Sequence, residues 1–218
     1  MTRTVAELAA DALIANGITD LYCLPGLQLD PFFDACFHRQ DALRLVHTRH
    51  EQGAAYMAMG AQVATGRPQA YAVVPGAGFL NSTGALSTAY AVHARVMAMV
   101  GQIPTGAMGK GFGVLHEIPD ELAVMKSLTK TSASVGSADT ALGTIGDAFK
   151  ALVSGPPRPV GLGIPMNLWR SDSGAAGDLS FEGSGGPVVD DEKIADAVRL
   201  IGKAKAPLIV VGSGALDA

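Results

Sequence analysis

Charge is scarce in this sequence, and cysteine scarcer. Only 17% of the 218 residues are Asp, Glu, Lys or Arg, and the 16 basic against 20 acidic side chains leave a net charge of −4. No stretch is dense in Lys or Arg, and a nucleic-acid backbone is held by clustered cations, so no nucleic-acid partner is expected. Cys23 and Cys36, the only two cysteines, are no disulfide framework and lack metal-site spacing. Set among apolar and aromatic neighbours, they read as free buried thiols, which suits a cytoplasmic protein. No membrane span is expected either: the longest apolar stretch, Ala89 to Val100, is broken by His93 and Arg95. The opening MTRTVAELAADAL carries acids where a signal peptide would have its apolar region. Walker A, HExxH, GxSxG and CxxC patterns are all missing, and nothing resembles a zinc site.

What remains is a composition that folds. The apolar set makes up 48%, and the 27 Gly and 12 Pro are scattered rather than run together, which excludes a disordered, collagen-like or coiled-coil chain. Val5, Leu8, Ala9, Ala12 and Leu13 recur at helical spacing, with Thr4 as N-cap, Glu7 three residues on and Gly17 as stop. Strands are then expected over 20–24, 43–48, 69–74, 95–100, 130–135 and 159–164. Helices are expected over 30–38, 50–64, 78–93, 120–126 and 138–153. Continuously apolar strands alternating with helices predict an α/β fold, a doubly wound parallel sheet covered by helices on both faces.

The character changes after Pro165. Ser171 to Pro187 is rich in Gly, Ser and Asp and reads as a linker, with Trp169 as an interdomain anchor. Beyond it, a helix over 190–203 and a buried strand over 208–211, ending in Gly212-Ser213-Gly214, resemble the opening of a second, Rossmann-like domain. The expected division is 1–168, a linker at 169–188, and a truncated start of a central domain at 189–218. A lone helix and strand cannot bury their apolar faces, so the chain reads as a fragment.

Two places invite chemistry. Gly76-Ala77-Gly78 follows a strand and opens a helix, but lacks the third glycine of a dinucleotide fingerprint. Glu51, in HTRHEQGAA, stands at a strand-to-helix junction, where side chains project from the carboxyl edge of the sheet. It is either a ligand-facing carboxylate there or an acid that offsets the helix macrodipole. Met57, Met59, Met97 and Met99 fit buried faces.

The strings RHEQGAA (49–55), ATGRP (64–68), VVPGAGFLN (73–81), TAY (88–90) and VGQIPT (100–105) occur in order along the chain. With the early Leu24-Pro25-Gly26 turn and the RPVGLGIP strand at 158–165, they resemble one family. It is the N-terminal pyrimidine-binding domain of the thiamine-diphosphate-dependent enzymes of the acetolactate synthase, pyruvate oxidase and benzoylformate decarboxylase group. The resemblance spans residues 1 to about 168.

That resemblance implies an enzyme acting on 2-oxo acids, a decarboxylase or carboligase, with this chain alone inactive. It implies thiamine diphosphate as cofactor, with Mg2+ held by a C-terminal domain outside these residues, and leaves open FAD in a central domain. It also implies a homo-oligomer, dimer or tetramer, whose site forms between two chains. Glu51 matches the family's glutamate that hydrogen-bonds the far ring nitrogen of the aminopyrimidine, so that the cofactor's own amino group can take the C2 proton. Such a carboxylate must be shielded from water. Pro25, Gly26, Pro75, Gly76, Gly78 and Asn81 match cofactor-facing positions, although the glycines also suit tight turns and Asn81 a local cap. The glycine-rich loop 105–119 follows VGQIPT, where the family sets specificity. Its Phe112 and His116, with Gln28 after the Leu-Pro-Gly turn, are the candidate substrate contacts. Leu115-His116-Glu117 departs from the Phe-Gln-Glu run of the synthases. The competing reading is a non-catalytic α/β module that binds a small ligand or regulates.

Overall fold

The computed structural model describes residues 2–184, 189–212 and 215. The chain divides into two compact units, residues 1–185 and 186–218. In the first, α1 (Val5–Ala15), β1 (Asp20–Cys23), a 3₁₀ turn (Leu27–Leu29), α2 (Asp30–Phe37) and β2 (Arg44–His47) lead to α3 (Glu51–Thr65) and β3 (Gln69–Val73). They are followed by α4 (Ala77–Ala91), β4 (Val96–Gln102), α5 (Glu121–Leu128), β5 (Thr131–Ser134), α6 (Ala138–Val153) and β6 (Val160–Pro165). The six strands form one sheet in the order β2-β1-β3-β4-β6-β5, every neighbouring pair parallel.

Strand side chains alternate between two cores, as a period of two requires. Cys23, Ala72, Met97, Met99 and Leu162 face one side with Leu8, Phe32 and Phe149 of α1, α2 and α6. Tyr71, Val73, Val96, Ala98 and Val100 face the other with Ala54, Phe79, Leu86 and Met125 of α3, α4 and α5. All seven residues of β4 are buried, which is why this strand reads as one apolar run. Thr4 and Glu7 form the expected capping box on α1, and Gly17, at φ +78, turns the chain beyond it. Cys23 and Cys36 are free and buried; burial pushes their thiols up to about 11 and about 12. No helix among the described residues is long and apolar enough to cross a membrane.

The segment expected to be a linker from residue 169 is, as far as Ser184, packed onto this first unit. Trp169 is buried, stacked on Phe32 at 5.1 Å, and its indole N–H donates to the Gln28 carbonyl at 2.8 Å. It is thus an anchor inside this unit. Val5 N donates to Ser171 O, Ser173 N donates to Arg3 O, and Asn16 bonds both Leu179 O and Phe181 N. Phe181 stacks on Phe149 and fills the space that a side chain on Gly146 would need. Composition suggested a free tether; two aromatic rings and the backbone of α1 hold it down.

In the second unit α7 (Asp191–Lys203) forms as expected, and the Asp190 side chain accepts from Glu192 N and Lys193 N. None of its residues is buried. The strand expected over 208–211 does not form: Leu208 and Val210 are 87% and 86% exposed. A strand needs a ladder partner, and among the described residues this segment has none. Ser213 and Gly214 lie outside the described residues.

Asp11 of α1 takes Arg3 Nε at 2.8 Å and, on its two oxygens, the guanidinium of Arg39, in the turn just beyond α2. Burial pushes its carboxyl up, but the hydrogen bonds and charges of Arg39 and Arg3 outweigh that and hold it below its ordinary value of 3.8. Its contribution is therefore present above that value and lost as pH falls through the lower folded one. Asp11→Asn should lower Tm by about 2–4 °C at pH 7, and the gap to wild type should narrow in thermal scans as pH falls below 3.8.

Candidate active site

Strand order reverses between β1 and β3, because the chain steps to β2 on one side and returns to β3 on the other. Open α/β sheets bind ligands at such a point, outside the carboxyl ends of the strands. Three connections meet here: the Pro25-Gly26 turn after β1, Thr48 to Glu51 after β2, and Val74 to Gly78 after β3. Thr48 N donates to Cys23 O at 2.9 Å, tying the second to the first. Val74 ties the first to the third. A Cβ on Gly26 would fall 2.5 Å from Val74 Cγ1, and one on Gly78 would fall 2.5 Å from Val74 Cγ2. Each methyl occupies the place of a missing side chain.

Glu51 is the first residue of α3, after His50, whose Nδ1 accepts from Gln52 N and caps the helix. Its side chain is turned inward and only 9% exposed. Asn81, one turn into α4, donates from Nδ2 to Glu51 Oε2 at 3.0 Å. Among the described residues Oε1 receives no hydrogen bond, and it lies 3.4 Å from where a Gly78 Cβ would be. A carboxylate oxygen without a partner, on a nearly buried side chain beside the Gly78 turn, leaves a hydrogen-bond position for a ligand.

The loop 105–119 closes over the other side of the β3–α4 turn. Glu117 folds it, its carboxylate accepting from the backbone N–H groups of Gly111, Gly113 and Val114 at 3.0, 2.6 and 3.1 Å. His116, at φ +69, then sets its carbonyl against Gly76, where a Cβ would be 2.2 Å from His116 O. Gly76 itself has φ +55 and ψ −115, a conformation available in practice only to glycine. Behind the loop lies a cavity of about 370 Å³ lined in part by Gln102, Met108, His116, Glu121 and Ser134.

A polar relay runs along that cavity. Ser134 at the end of β5 donates to Gln102 Oε1 at the end of β4; Gln102 Nε2 donates to Glu121 Oε1 at 3.3 Å; Gly76 N donates to Glu121 Oε2 at 2.6 Å. Burial pushes the Glu121 carboxyl above the usual carboxylate range, the bonds from Gly76 and Gln102 offsetting this in part. Gly163 of β6 makes room for the relay, since a Cβ there would be 2.5 Å from Gln102 Nε2. Among the described residues no cluster of His, Cys, Asp and Glu could hold a metal ion.

Residues 3–125 match the family described as the thiamine pyrophosphate enzyme, N-terminal TPP-binding domain. The chain belongs to that family. It is 30% identical over its whole length to a probable 2-ketoarginine decarboxylase of Pseudomonas aeruginosa, and 31% identical over 97% of its length to the acetolactate synthase large subunit of Mycobacterium tuberculosis. It superposes with a TM-score of 0.83 and 27% identity on the thiamine diphosphate-dependent 4-hydroxybenzoylformate decarboxylase of Rhodococcus jostii RHA1, over 94% of this chain and 38% of that one. The chain spans 39% and 38% of the lengths of the two curated relatives.

In this TPP-binding domain the positions expected from sequence fall into two groups. Glu51, Asn81, Gly78 and Gly26 converge around Val74, with Pro25 beside them in its turn. Pro75 and Gly76 lie against the loop, where His116 touches Gly76. Gln28 is buried, donates to Leu115 O at 3.4 Å, and keeps an unpartnered Oε1. Phe112 is 68% exposed and lines neither of the two cavities beside the loop. Sequence reasoning passed over Val74, Gln102, Ser134 and Glu121. Gln102 left a signal, a polar side chain closing an otherwise apolar seven-residue strand; Glu121 looked like any acid in a first helical turn.

Gly76→Ala should destabilise the chain by about 2 kcal/mol or more in urea unfolding, since it forces positive φ on a Cβ that meets a backbone oxygen. It should also speed tryptic cleavage after Lys110, as the loop loses its seat.

Proposed function

We propose that this chain is the pyrimidine-binding part of a thiamine-diphosphate-dependent enzyme acting on 2-oxo acids, as a decarboxylase or carboligase, and that Glu51 is its catalytic carboxylate. The observation that carries this reading is the Glu51 carboxyl: shielded, steadied by Asn81 on one oxygen, and unpartnered on the other beside Gly78. When bound, thiamine diphosphate supplies a nucleophilic thiazolium carbon that adds to a 2-oxo group. Glu51 Oε1 would hold a ring nitrogen of the pyrimidine through a hydrogen bond. Asn81 fixes which oxygen is presented. Gly26 and Gly78, closed onto Val74, and Gly76, closed onto the His116 carbonyl, shape with Pro25 and Pro75 the turns beside which the ring would lie.

Substrate contact falls to the loop side. Gln28 offers a buried carbonyl oxygen that a ligand donor can satisfy, and leaving such an atom unpaired costs about 1–3 kcal/mol. His116, half-buried at the cavity wall, is placed to hydrogen-bond a carboxylate, and Phe112 reaches substrate only if the loop moves. The diphosphate and Mg2+ are assigned to a separate diphosphate-binding domain, and any FAD to a central domain begun by residues after 188. The chain by itself is therefore expected to be inert. A non-catalytic binding module has no need of a shielded carboxylate with a free oxygen.

The assembly expected is a homodimer or a tetramer of such dimers, with α3 and α4 facing a second copy. These helices pack on each other and leave Tyr56, Met57, Leu80, Tyr90 and Val92 between 36% and 48% exposed.

In the full-length protein, Glu51→Gln should slow hydrogen–deuterium exchange at C2 of bound cofactor by about a hundredfold or more; unchanged exchange would take Glu51 out of the mechanism. Sedimentation velocity on this chain should show a dimer that Met57→Glu with Leu80→Glu converts to monomer, and a wild-type monomer at high concentration would count against the assembly.

A further inference from the structure

Among the described residues, Glu121 is the carboxylate that bonds the β3–α4 turn. It begins α5, immediately after the loop, while its carboxylate reaches the N-cap residue of α4. One oxygen accepts from Gly76 N at 2.6 Å, the other from Gln102 Nε2 at 3.3 Å, and Gln102 is oriented in turn by Ser134. Two helix N-termini thus share one carboxylate, each gaining from its charge. Gly76 has no other acceptor for its N–H among the described residues. The loop meets the same glycine through the His116 carbonyl. Gly76 is therefore held from two directions, by the loop's backbone and by the side chain of the first residue of the helix that follows the loop.

We propose that Glu121 is a positioning residue that couples the loop 105–119 to the β3–α4 turn, so that a displacement of one is transmitted to the other. The coupling works through the geometry of the relay. Each member satisfies its neighbour, and a break at Glu121 frees Gly76 N–H and the Gln102 amide together. Naming the turn as the cofactor side and the loop as the substrate side rests on the function proposed above. The coupling itself does not, and it is tested with neither ligand present.

Hydrogen–deuterium exchange of the chain separates the outcomes. Glu121→Ala should raise exchange about tenfold or more in two segments at once, the amides around Gly76 and those of residues 105–119, while α6 stays protected. Glu121→Gln should restore both. If the Gln102 amide turns over, its oxygen can accept from the new amide, and the Ser134 hydroxyl can accept as readily as donate. Glu121→Asp, which keeps the charge but shortens the reach, should behave like alanine, and it carries the test if the alanine variant fails to fold. A rise confined to one segment or absent from both, or a glutamine variant as mobile as alanine, would overturn the proposal. Loss of C2 exchange in Glu51→Gln bears only on the function; paired exchange in the Glu121 series bears only on the coupling.

Discussion

The two methyl groups of Val74 hold the site together. They stand where Gly26 and Gly78 have no side chains, so the turns after β1 and β3 close onto a single residue. The two turns that flank the switch point take their spacing from that contact. Gly78 brings the start of α4 near Glu51, α4 carries Asn81 to the Glu51 carboxylate, and the Pro25-Gly26 turn leads into the 3₁₀ turn that buries Gln28. Interiors are close-packed and transmit displacement, and a β-branched side chain has few rotamers with which to absorb an added methyl. Two glycines and a valine fix two of the three connections, and the Thr48–Cys23 hydrogen bond ties in the other.

Around that centre the molecule uses carboxylates in two different ways. Glu51 is nearly buried yet half satisfied, with one oxygen steadied by Asn81 and the other without a partner among the described residues. Glu121 and Glu117 are spent: their oxygens take backbone N–H groups at the turn and in the loop and, for Glu121, the Gln102 side-chain amide, and they organise the chain instead of presenting charge. A sequence that is only 17% charged concentrates three acids at one edge of one sheet, each on a connection rather than within a strand. Precision at the edge comes from these bonds, since the loop itself contributes few buried apolar contacts.

Much of the fold was legible because its signals are local. The Thr4–Glu7 capping box, the apolar β4 and the periodicity of α6 each report their own element and need no distant partner. Glu51 was legible as a candidate from its junction and became persuasive only through the neighbouring strings of similar sequence. The Leu208–Val211 run shows the limit of such signals. Apolar composition marks a segment that can pair, and whether it pairs depends on a neighbour. The Ser- and Gly-rich stretch after Trp169 failed the other way, because Leu179 and Phe181 are few but land on α1 and Phe149. Val74, Gln102 and Glu121 were invisible for the same reason: their importance lies in which distant atoms they touch, and one sequence does not record that.

Gly163 shows how far this dependence reaches. It sits in the middle of a buried strand, away from Glu51 and from every connection at the switch point, and looks like a minor packing detail. Yet any side chain there displaces the Gln102 amide, and with it the donor that orients Glu121. Damage at such a position would present as a defect of the binding edge in a protein whose every edge residue is intact. Among positions whose change would disturb this edge, the interior of β6 belongs on the same map as the turns it never touches.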